Sequence, residues 1–104
     1  MPERTKIAIL GSTGSVGAQA LDLIAQFPDR FEVVALAAGS RLDVLSDQVR
    51  RFRPRLAALA REERLADLQA VCAPLGIAAA GGEEGMALVA THPEADRVLS
   101  AIVG

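Results

Sequence analysis

The sequence predicts an α/β domain in which a parallel β-sheet of about five strands lies between layers of helices. Short apolar runs, each typical of a strand buried on both faces, alternate with segments that repeat apolar residues every three or four positions. Gly or Pro residues separate most of these segments. Such alternation favours right-handed crossovers between parallel strands, and therefore a doubly wound domain of three layers over residues 1–104.

Five segments are predicted to form the strands. Residues 7–10 and residues 31–38 are apolar almost throughout, and residues 97–103 form the last predicted strand for the same reason. The two remaining strands are short. They are predicted over residues 56–59 and over the alanine-rich residues 76–80.

Four helices are predicted between these strands. Apolar residues recur at helical spacing from Val16 to Phe27, and Pro28 closes that segment. The following helices are predicted over residues 42–52, 62–73 and 84–90, with a turn at residues 81–82 before the last of them.

The composition excludes several classes of function. The 104 residues carry a formal net charge of −2, with basic and acidic residues mixed along the chain, so the basic stripe of a nucleic-acid-binding protein is missing. A single cysteine, Cys72, excludes an internal disulfide and a cysteine-rich metal site, and we expect it in the core. The apolar run at residues 7–10 is too short for a signal peptide or a membrane span. We therefore expect a cytoplasmic protein.

A glycine-rich segment at residues 11–17 joins the first predicted strand to the first predicted helix. In doubly wound domains, ligands bind outside the carboxyl ends of the strands, and the free amides and dipole of a helix N-terminus suit a pyrophosphate. The G-x-x-G-x-x-G spacing is one residue longer than the usual dinucleotide fingerprint. Its place between a buried strand and a helix nevertheless predicts a Rossmann-like dinucleotide-binding turn.

Each glycine of this turn has a separate expected role. Gly11 permits the sharp exit from the strand, Gly14 lets phosphate groups approach the backbone, and Gly17 lets the helix pack tightly on the sheet. The hydroxyl groups of Thr13 and Ser15 are expected to donate further hydrogen bonds to phosphate oxygens.

The end of the second predicted strand selects between NAD and NADP. An NAD site places a carboxylate there to bind the ribose 2′-hydroxyl, whereas the first carboxylate here is Asp43. Arg41 offers a guanidinium for a 2′-phosphate, and Ser40 offers a hydroxyl. One or two charge-assisted hydrogen bonds, at about 1.5–3 kcal/mol each, give a ten- to thousandfold preference, so NADPH is the predicted cofactor. The alternative role for Arg41 is that of a solvent-exposed residue at a helix start.

Four parts of the sequence point to one family. They are residues 9–17 (ILGSTGSVG), residues 31–39 (FEVVALAAG), the spacing of Gln48, Phe52 and Pro54, and residues 100–104 (SAIVG). Together they resemble the N-terminal part of the 1-deoxy-D-xylulose 5-phosphate reductoisomerase family. The resemblance implies an NADPH-dependent oxidoreductase that isomerises and reduces 1-deoxy-D-xylulose 5-phosphate to 2-C-methyl-D-erythritol 4-phosphate in non-mevalonate isoprenoid biosynthesis. It also implies a divalent cation (Mg²⁺, Mn²⁺ or Co²⁺) and a homodimeric parent.

The resemblance further implies which residues contact the cofactor. They are Thr13, Gly14, Ser15 and Val16 in the turn, Gly39, Ser40 and Arg41 after the second strand, and Ala101, with residues 102–103, beside the nicotinamide half. The family often has Lys-Asn or a similar pair where this chain has Ser40-Arg41, so the positive charge is displaced by one residue. The metal-binding acids, the substrate-phosphate contacts and the lid of the family follow residue 104. The resemblance therefore implies that these residues alone are inactive, and no catalytic or metal-binding residue is assigned.

Other functions stay open on the sequence alone. One is the cofactor domain of another NADP-dependent reductase, of the semialdehyde type. Another is a non-catalytic module that senses a nucleotide, and a third is an interaction domain without affinity for dinucleotides. Two further features have ordinary structural interpretations, namely His92 as a loop residue and the arginines of residues 50–55 as an exposed helix end.

Overall fold

The computed structural model describes residues 3–102, in which five strands alternate with four α-helices. The strands are β1 (Thr5–Leu10), β2 (Phe31–Ala38), β3 (Leu56–Leu59), β4 (Ala78–Gly81) and β5 (Arg97–Ser100). The helices are α1 (Ser15–Ala25), α2 (Leu42–Phe52), α3 (Leu65–Cys72) and α4 (Gly82–Ala90). The predicted alternation of strands and helices is confirmed.

All five strands join one parallel sheet in the order β4-β3-β2-β1-β5. The first three crossovers lead the chain outward from β1 to β4, and α4 then returns it across the sheet to the other side of β1. The strand order therefore reverses between β1 and β5. In open α/β sheets such a switch point opens a crevice at the carboxyl ends of the strands.

Large aliphatic side chains fill the first of two cores, between the sheet and the helices α1, α2 and α3. Leu21 and Ile24 of α1 meet Leu45 and Val49 of α2 there, over the apolar side chains of β1 and β2. Cys72 of α3 is fully buried in the same core, as predicted, and burial raises the pKa of its thiol. The helices on this face form one outer layer of the three-layer domain.

Small residues line the opposite face of the sheet, where α4 packs. Ala8, Ala35, Ala37 and Ala58 present only methyl groups to this helix, and all four are fully buried. A Cβ added at Gly85 of α4 would lie 2.9 Å from the backbone carbonyl carbon of Ala80 and 3.2 Å from its Cβ. The helix backbone therefore lies almost directly on the sheet, and α4 forms the third layer.

The predicted boundaries around β4 were wrong because both flanking glycines adopt positive φ. Gly76 has φ +70° and ends the preceding helical segment, so β4 begins only at Ala78. Gly82, at φ +69°, begins α4 directly after Gly81, so there is no separate turn at this place. A glycine that closes or opens a helix looks in sequence like a turn residue.

The predicted apolar stripe of the first helix is wider than the face that packs. Val16, Leu23 and Phe27 are exposed, whereas Leu21 and Ile24 are buried against the sheet. The predicted helix over residues 62–73 is also divided. Single 3₁₀ turns (Glu62–Arg64 and Ala73–Leu75) flank α3. The last strand ends at Ser100, and Val103 lies outside the described residues.

No helix in residues 3–102 has both the length and the apolar character needed to cross a bilayer.

We expect Leu45→Ala to lower the free energy of unfolding by about 2–5 kcal/mol, because it opens a cavity between α2 and the sheet. The matched control is Leu23→Ala, whose side chain is 57% exposed while that of Leu45 is fully buried. The control is expected to change stability by no more than about 0.5 kcal/mol. Urea denaturation followed by circular dichroism measures both, and equal effects would contradict the packing described for α2.

Candidate dinucleotide-binding site

An open crevice of about 440 Å³ lies at the carboxyl ends of the strands, beside the switch point between β1 and β5. This volume is within the range of small-molecule sites. The lining residues come from the glycine-rich turn, from the segments that follow β2, β3 and β5, and from α4. They are Gly11, Thr13, Gly14, Ser15, Val16, Gly39, Ala60, Met86, Ala101 and Ile102. The structure thus brings together most of the residues that the sequence predicted to bind a cofactor.

Gly11 makes the sharp exit from β1 that the sequence predicted. Its φ is +81°, and its amide and that of Ser12 both donate to the carbonyl of Ala37 in β2, at 2.8 and 3.0 Å. A Cβ on Gly11 would lie 3.0 Å from the carbonyl carbon of Ala101. Both the backbone angle and the close approach of the segment after β5 therefore require glycine at this position.

Gly17 allows the turn to fold against the helix that follows it. A Cβ at this position would lie 2.2 Å from the carbonyl oxygen of Gly11 and 2.8 Å from the Cα of Ser12. The predicted close packing is present, but its nearest partner is the turn and not the sheet. A side chain at Gly17 would push the turn away from the start of α1.

The amino end of α1 faces the crevice with its amides. Gly14 is the N-cap residue in extended backbone, with no side-chain cap, and its carbonyl accepts the amide of Ala18 at 2.8 Å. The amides of the first helical turn precede that bond and have no acceptor within the helix. A Cβ on Gly14 would meet only the carbonyl oxygen of Gly11, at 3.7 Å, so the space beside Gly14 is open. The arrangement fits a pyrophosphate, which would accept these amides at the positive end of the helix dipole.

Gln48 of α2 forms a side-chain hydrogen bond with the backbone of the glycine-rich turn. Its Nε2 donates to the carbonyl oxygen of Ser12 at 2.8 Å, and both residues are buried. The Oε1 of Gln48 and the Oγ of Ser12 are also buried and have no hydrogen-bond partner among residues 3–102. The bond therefore joins α2 to the turn inside the protein, away from solvent. In the sequence Gln48 stood out only through its spacing from Phe52, because periodicity does not reveal which polar residue is buried.

The three residues after β2 separate in the structure. Gly39 lines the crevice, whereas Ser40 lines a neighbouring concavity. Arg41 precedes α2 with its side chain 62% exposed, and its Nε lies 3.5 Å from Oδ1 of Asp43. The Val44 amide, and then Arg41, hold the pKa of Asp43 below its ordinary value. Asp43 is therefore ionised at neutral pH, and it forms an ion pair with Arg41 at the start of α2.

Two lining residues were not predicted from the sequence. Ala60 follows β3, and its amide donates to the carbonyl of Ala38 at 2.9 Å, which carries the sheet pairing to the edge of the crevice. Its place after a strand was a usable signal, since the carboxyl ends of parallel strands lie together. Met86 enters from α4 on the opposite face of the sheet, and no local pattern indicates that approach.

The histidine and the arginines singled out in the sequence lie at the end of the sheet where the strands begin, away from the crevice. His92 is in the loop before β5, as predicted, and its Nδ1 accepts the amide of Glu94 at 3.2 Å. The side chains of Arg50 and Arg51 are exposed near the end of α2, before β3 begins. Within residues 3–102, no three His, Cys, Asp or Glu side chains are grouped so that they could hold a metal ion.

The sequence model of the 1-deoxy-D-xylulose 5-phosphate reductoisomerase family matches residues 7–104. The chain belongs to this family. A 1-deoxy-D-xylulose 5-phosphate reductoisomerase from Synechococcus sp. (strain JA-2-3B'a(2-13)) is 50% identical over 101 residues, which cover 94% of this chain and 26% of the relative. The protein of the same name from Anaeromyxobacter sp. (strain K) is 50% identical over 99 residues, which cover 95% of this chain and 25% of the relative. The chain thus spans about a quarter of the length of these reductoisomerases.

Solved reductoisomerase structures share the fold. The Zymomonas mobilis enzyme in complex with NADPH superposes with a TM-score of 0.92 at 33% identity, over 100% of this chain and 27% of the solved chain. A DOX-P reductoisomerase in complex with NADPH, fosmidomycin and magnesium superposes with a TM-score of 0.90 at 34% identity, over 96% of this chain and 25% of that chain. The predicted family and the predicted Rossmann-like fold are both confirmed.

We expect Gln48→Glu to destabilise this chain by roughly 2–4 kcal/mol at pH 7, because a buried carboxylate would face the carbonyl of Ser12. Burial raises the pKa of such a carboxyl, so the loss is smallest below the ordinary Glu pKa and grows as the pH rises through the raised value. At about pH 4 the protonated carboxyl donates to the same carbonyl, and part of the stability returns.

The control for this experiment is Gln69→Glu on α3, because Gln69 is exposed. Urea unfolding of wild type and both variants at pH 7 and pH 4 gives the comparison at each pH. Equal stabilities of the two variants at pH 7 would show that the bond from Gln48 to Ser12 does not hold the turn.

Proposed function

We propose that residues 1–104 form the NADPH-binding domain of a 1-deoxy-D-xylulose 5-phosphate reductoisomerase. The parent enzyme would isomerise and reduce 1-deoxy-D-xylulose 5-phosphate to 2-C-methyl-D-erythritol 4-phosphate in non-mevalonate isoprenoid biosynthesis. One observation carries the proposal for this chain. A crevice at the switch point of the sheet is lined by the glycine-rich turn and faced by the amides of α1.

The glycine-rich turn would hold the pyrophosphate of the cofactor. Gly14 leaves room for the phosphates to approach the backbone, and the amides that open α1 would donate to their oxygens. The hydroxyl groups of Thr13 and Ser15 also border the crevice and would add donors. In this position the partial positive charge at the start of α1 would attract the pyrophosphate, so no cationic side chain is needed in the turn.

The two halves of the cofactor would extend from the turn in opposite directions. Gly39, Ser40 and Arg41 follow β2, the strand end at which doubly wound domains bind the adenosine ribose. Ala101 follows β5, and its amide donates to the carbonyl of Leu10 at 2.8 Å, which brings this segment alongside the turn. We assign the nicotinamide half to that side. The apolar side chains of Val16, Met86 and Ile102 would pack against the cofactor there.

The chain's own part in the reaction is binding and orientation. NADPH supplies the hydride when it is bound. Within the described residues, the lining of the crevice contains no carboxylate, imidazole or amine side chain that could transfer a proton. We therefore assign proton transfer and substrate binding to the remainder of the parent enzyme.

The parent's other partners are also proposals. A sugar-phosphate substrate and a divalent cation are supported by solved reductoisomerases in complex with fosmidomycin and magnesium. A homodimeric parent in the cytoplasm, without nucleic-acid or membrane partners, follows the expectation from the sequence. Family membership favours this reductoisomerase over the semialdehyde-type reductase and over the nucleotide-sensing module.

We expect Gly14→Asp to weaken NADPH binding by roughly a hundredfold or more, because it places a carboxylate where the pyrophosphate would accept the amides of α1. The fold should be retained, since a Cβ at Gly14 meets only one backbone atom, at 3.7 Å. Gln19→Glu is the control, because it adds the same charge at an exposed position of the same helix. Titration of NADPH fluorescence measures both variants, and undiminished binding by Gly14→Asp would place the cofactor elsewhere.

We also expect the 104-residue chain to bind NADPH without turning over substrate, because the crevice lining offers no proton-transfer group. NADPH oxidation at 340 nm in the presence of 1-deoxy-D-xylulose 5-phosphate and Mn²⁺ tests this, with a full-length reductoisomerase as positive control. Enzyme-dependent oxidation by the 104-residue chain would contradict this division of roles.

A further inference from the structure

A second concavity of about 320 Å³ lies next to the cofactor crevice and is lined by Ser40, Arg61, Glu63 and Arg64. Gly39 and Ala60 line the crevice, and the residues that follow them in sequence, Ser40 and Arg61, line the concavity. The two depressions therefore adjoin along the loops that follow β2 and β3. A ligand group that extends from the crevice past Gly39 would reach this second concavity.

Hydrogen bonding fixes the backbone at the boundary between the crevice and the concavity. The amide of Arg61 donates to the carbonyl of Gly39 at 3.1 Å, which ties the loop after β3 to the loop after β2. A Cβ built on Gly39 would meet nothing within 4 Å, so the space beside this residue is open. The Cα positions of Ser40 and Arg61 are therefore set by hydrogen bonding between neighbouring strands.

Arg61 and Arg64 both belong to the short segment that joins β3 to α3. The amide of Arg64 donates to the carbonyl of Arg61 at 3.1 Å, so that Arg61 precedes and Arg64 ends a single 3₁₀ turn (Glu62–Arg64). Arg61 is the N-cap of this turn, in extended backbone, and both arginines line the same concavity. Together with the hydroxyl of Ser40 they form a donor set that suits a phosphate dianion.

The present partners of these arginines are exposed carboxylates that a phosphate could displace. Nη1 of Arg61 lies 3.3 Å from Oε1 of Glu63, and Nε of Arg64 lies 3.0 Å from Oδ2 of Asp67. The amide of Glu63 itself, and then Arg61, hold the pKa of Glu63 below its ordinary value, so this carboxylate is charged at neutral pH. Exposed ion pairs of this kind contribute little to stability, and exchanging one carboxylate for a doubly charged phosphate is favourable.

Arg41, the cation predicted from the sequence, is placed differently. It lines neither the crevice nor the concavity, and its Nε is 3.5 Å from Oδ1 of Asp43. The cations that line the path from Gly39 are those after β3.

We propose that Arg61 and Arg64, together with Ser40, bind the 2′-phosphate of NADPH and determine the preference of this chain for NADPH over NADH. The inference rests on the proposed function, because it requires a dinucleotide in the crevice. It goes beyond that function by assigning cofactor selectivity to the segment after β3, where no sequence pattern indicated a contact with the cofactor.

Dissociation constants for NADPH and NADH, measured by fluorescence titration at fixed ionic strength, test the assignment. Arg61→Ala and Arg64→Ala are each expected to weaken NADPH binding about tenfold, the lower end for a charge-assisted hydrogen bond, and to leave NADH binding unchanged. Arg50→Ala is the matched control. Its side chain is similarly exposed and pairs with Asp47 three residues away. Arg50 lies near the end of α2, on the side of the sheet where the strands begin. It should change neither constant.

Glu63→Gln tests the same site with the opposite sign. Removal of the carboxylate that competes for Arg61 is expected to strengthen NADPH binding several-fold without changing NADH binding. Circular dichroism and the melting temperature of each variant establish that the fold is kept. A gain of this kind cannot come from structural damage.

Three results would overturn the assignment. Neither arginine variant weakens NADPH binding, or the arginine variants weaken the binding of NADPH and of NADH equally, or Arg41→Ala alone removes the preference for NADPH over NADH. Each of these results leaves NADPH binding by the wild-type chain, and hence the proposed function, in place. A wild-type chain that binds neither cofactor would instead overturn the proposed function and the assignment together.

Discussion

The contact between Gly17 and the carbonyl of Gly11 determines where α1 starts relative to the sheet. With no Cβ at Gly17, the turn folds back onto the first turn of the helix, and a methyl group there would come within 2.2 Å of that carbonyl oxygen. The helix therefore begins immediately beside the end of β1. Its uncapped amides then open into the crevice at the switch point and not into solvent.

The other parts of the site are arranged around this turn by hydrogen bonds from distant segments. The carbonyl of Ala37 accepts two amides of the turn, Ala101 pairs with Leu10, and Gln48 supports Ser12 from α2. These bonds fix the turn and the end of β1 against different neighbours in the sheet and in the helix layer. A cofactor would thus meet a surface whose shape is set before binding, which reduces the entropy lost on association.

The sequence predicted what depends on local pattern. Apolar runs such as residues 31–38 are typical of strands in a covered sheet, and the glycines of the turn come directly after the strand that they end. It did not predict what depends on packing across the sheet. The approach of Met86 from α4, the burial of Gln48 and the placing of Arg61 next to Ser40 all bring together segments far apart in sequence. No periodicity within one segment carries that information.

The alanine-lined face of the sheet has a consequence for the evolution of the domain. Because Ala35, Ala37 and Ala58 let α4 lie directly on the sheet, Met86 reaches the rim of the crevice. One additional methylene on any of these strands would lift the helix and retract that methionine, although none of the three alanines lines the crevice. Side-chain volume in this layer is therefore constrained by ligand geometry as well as by folding, and larger residues there would require compensating changes in α4.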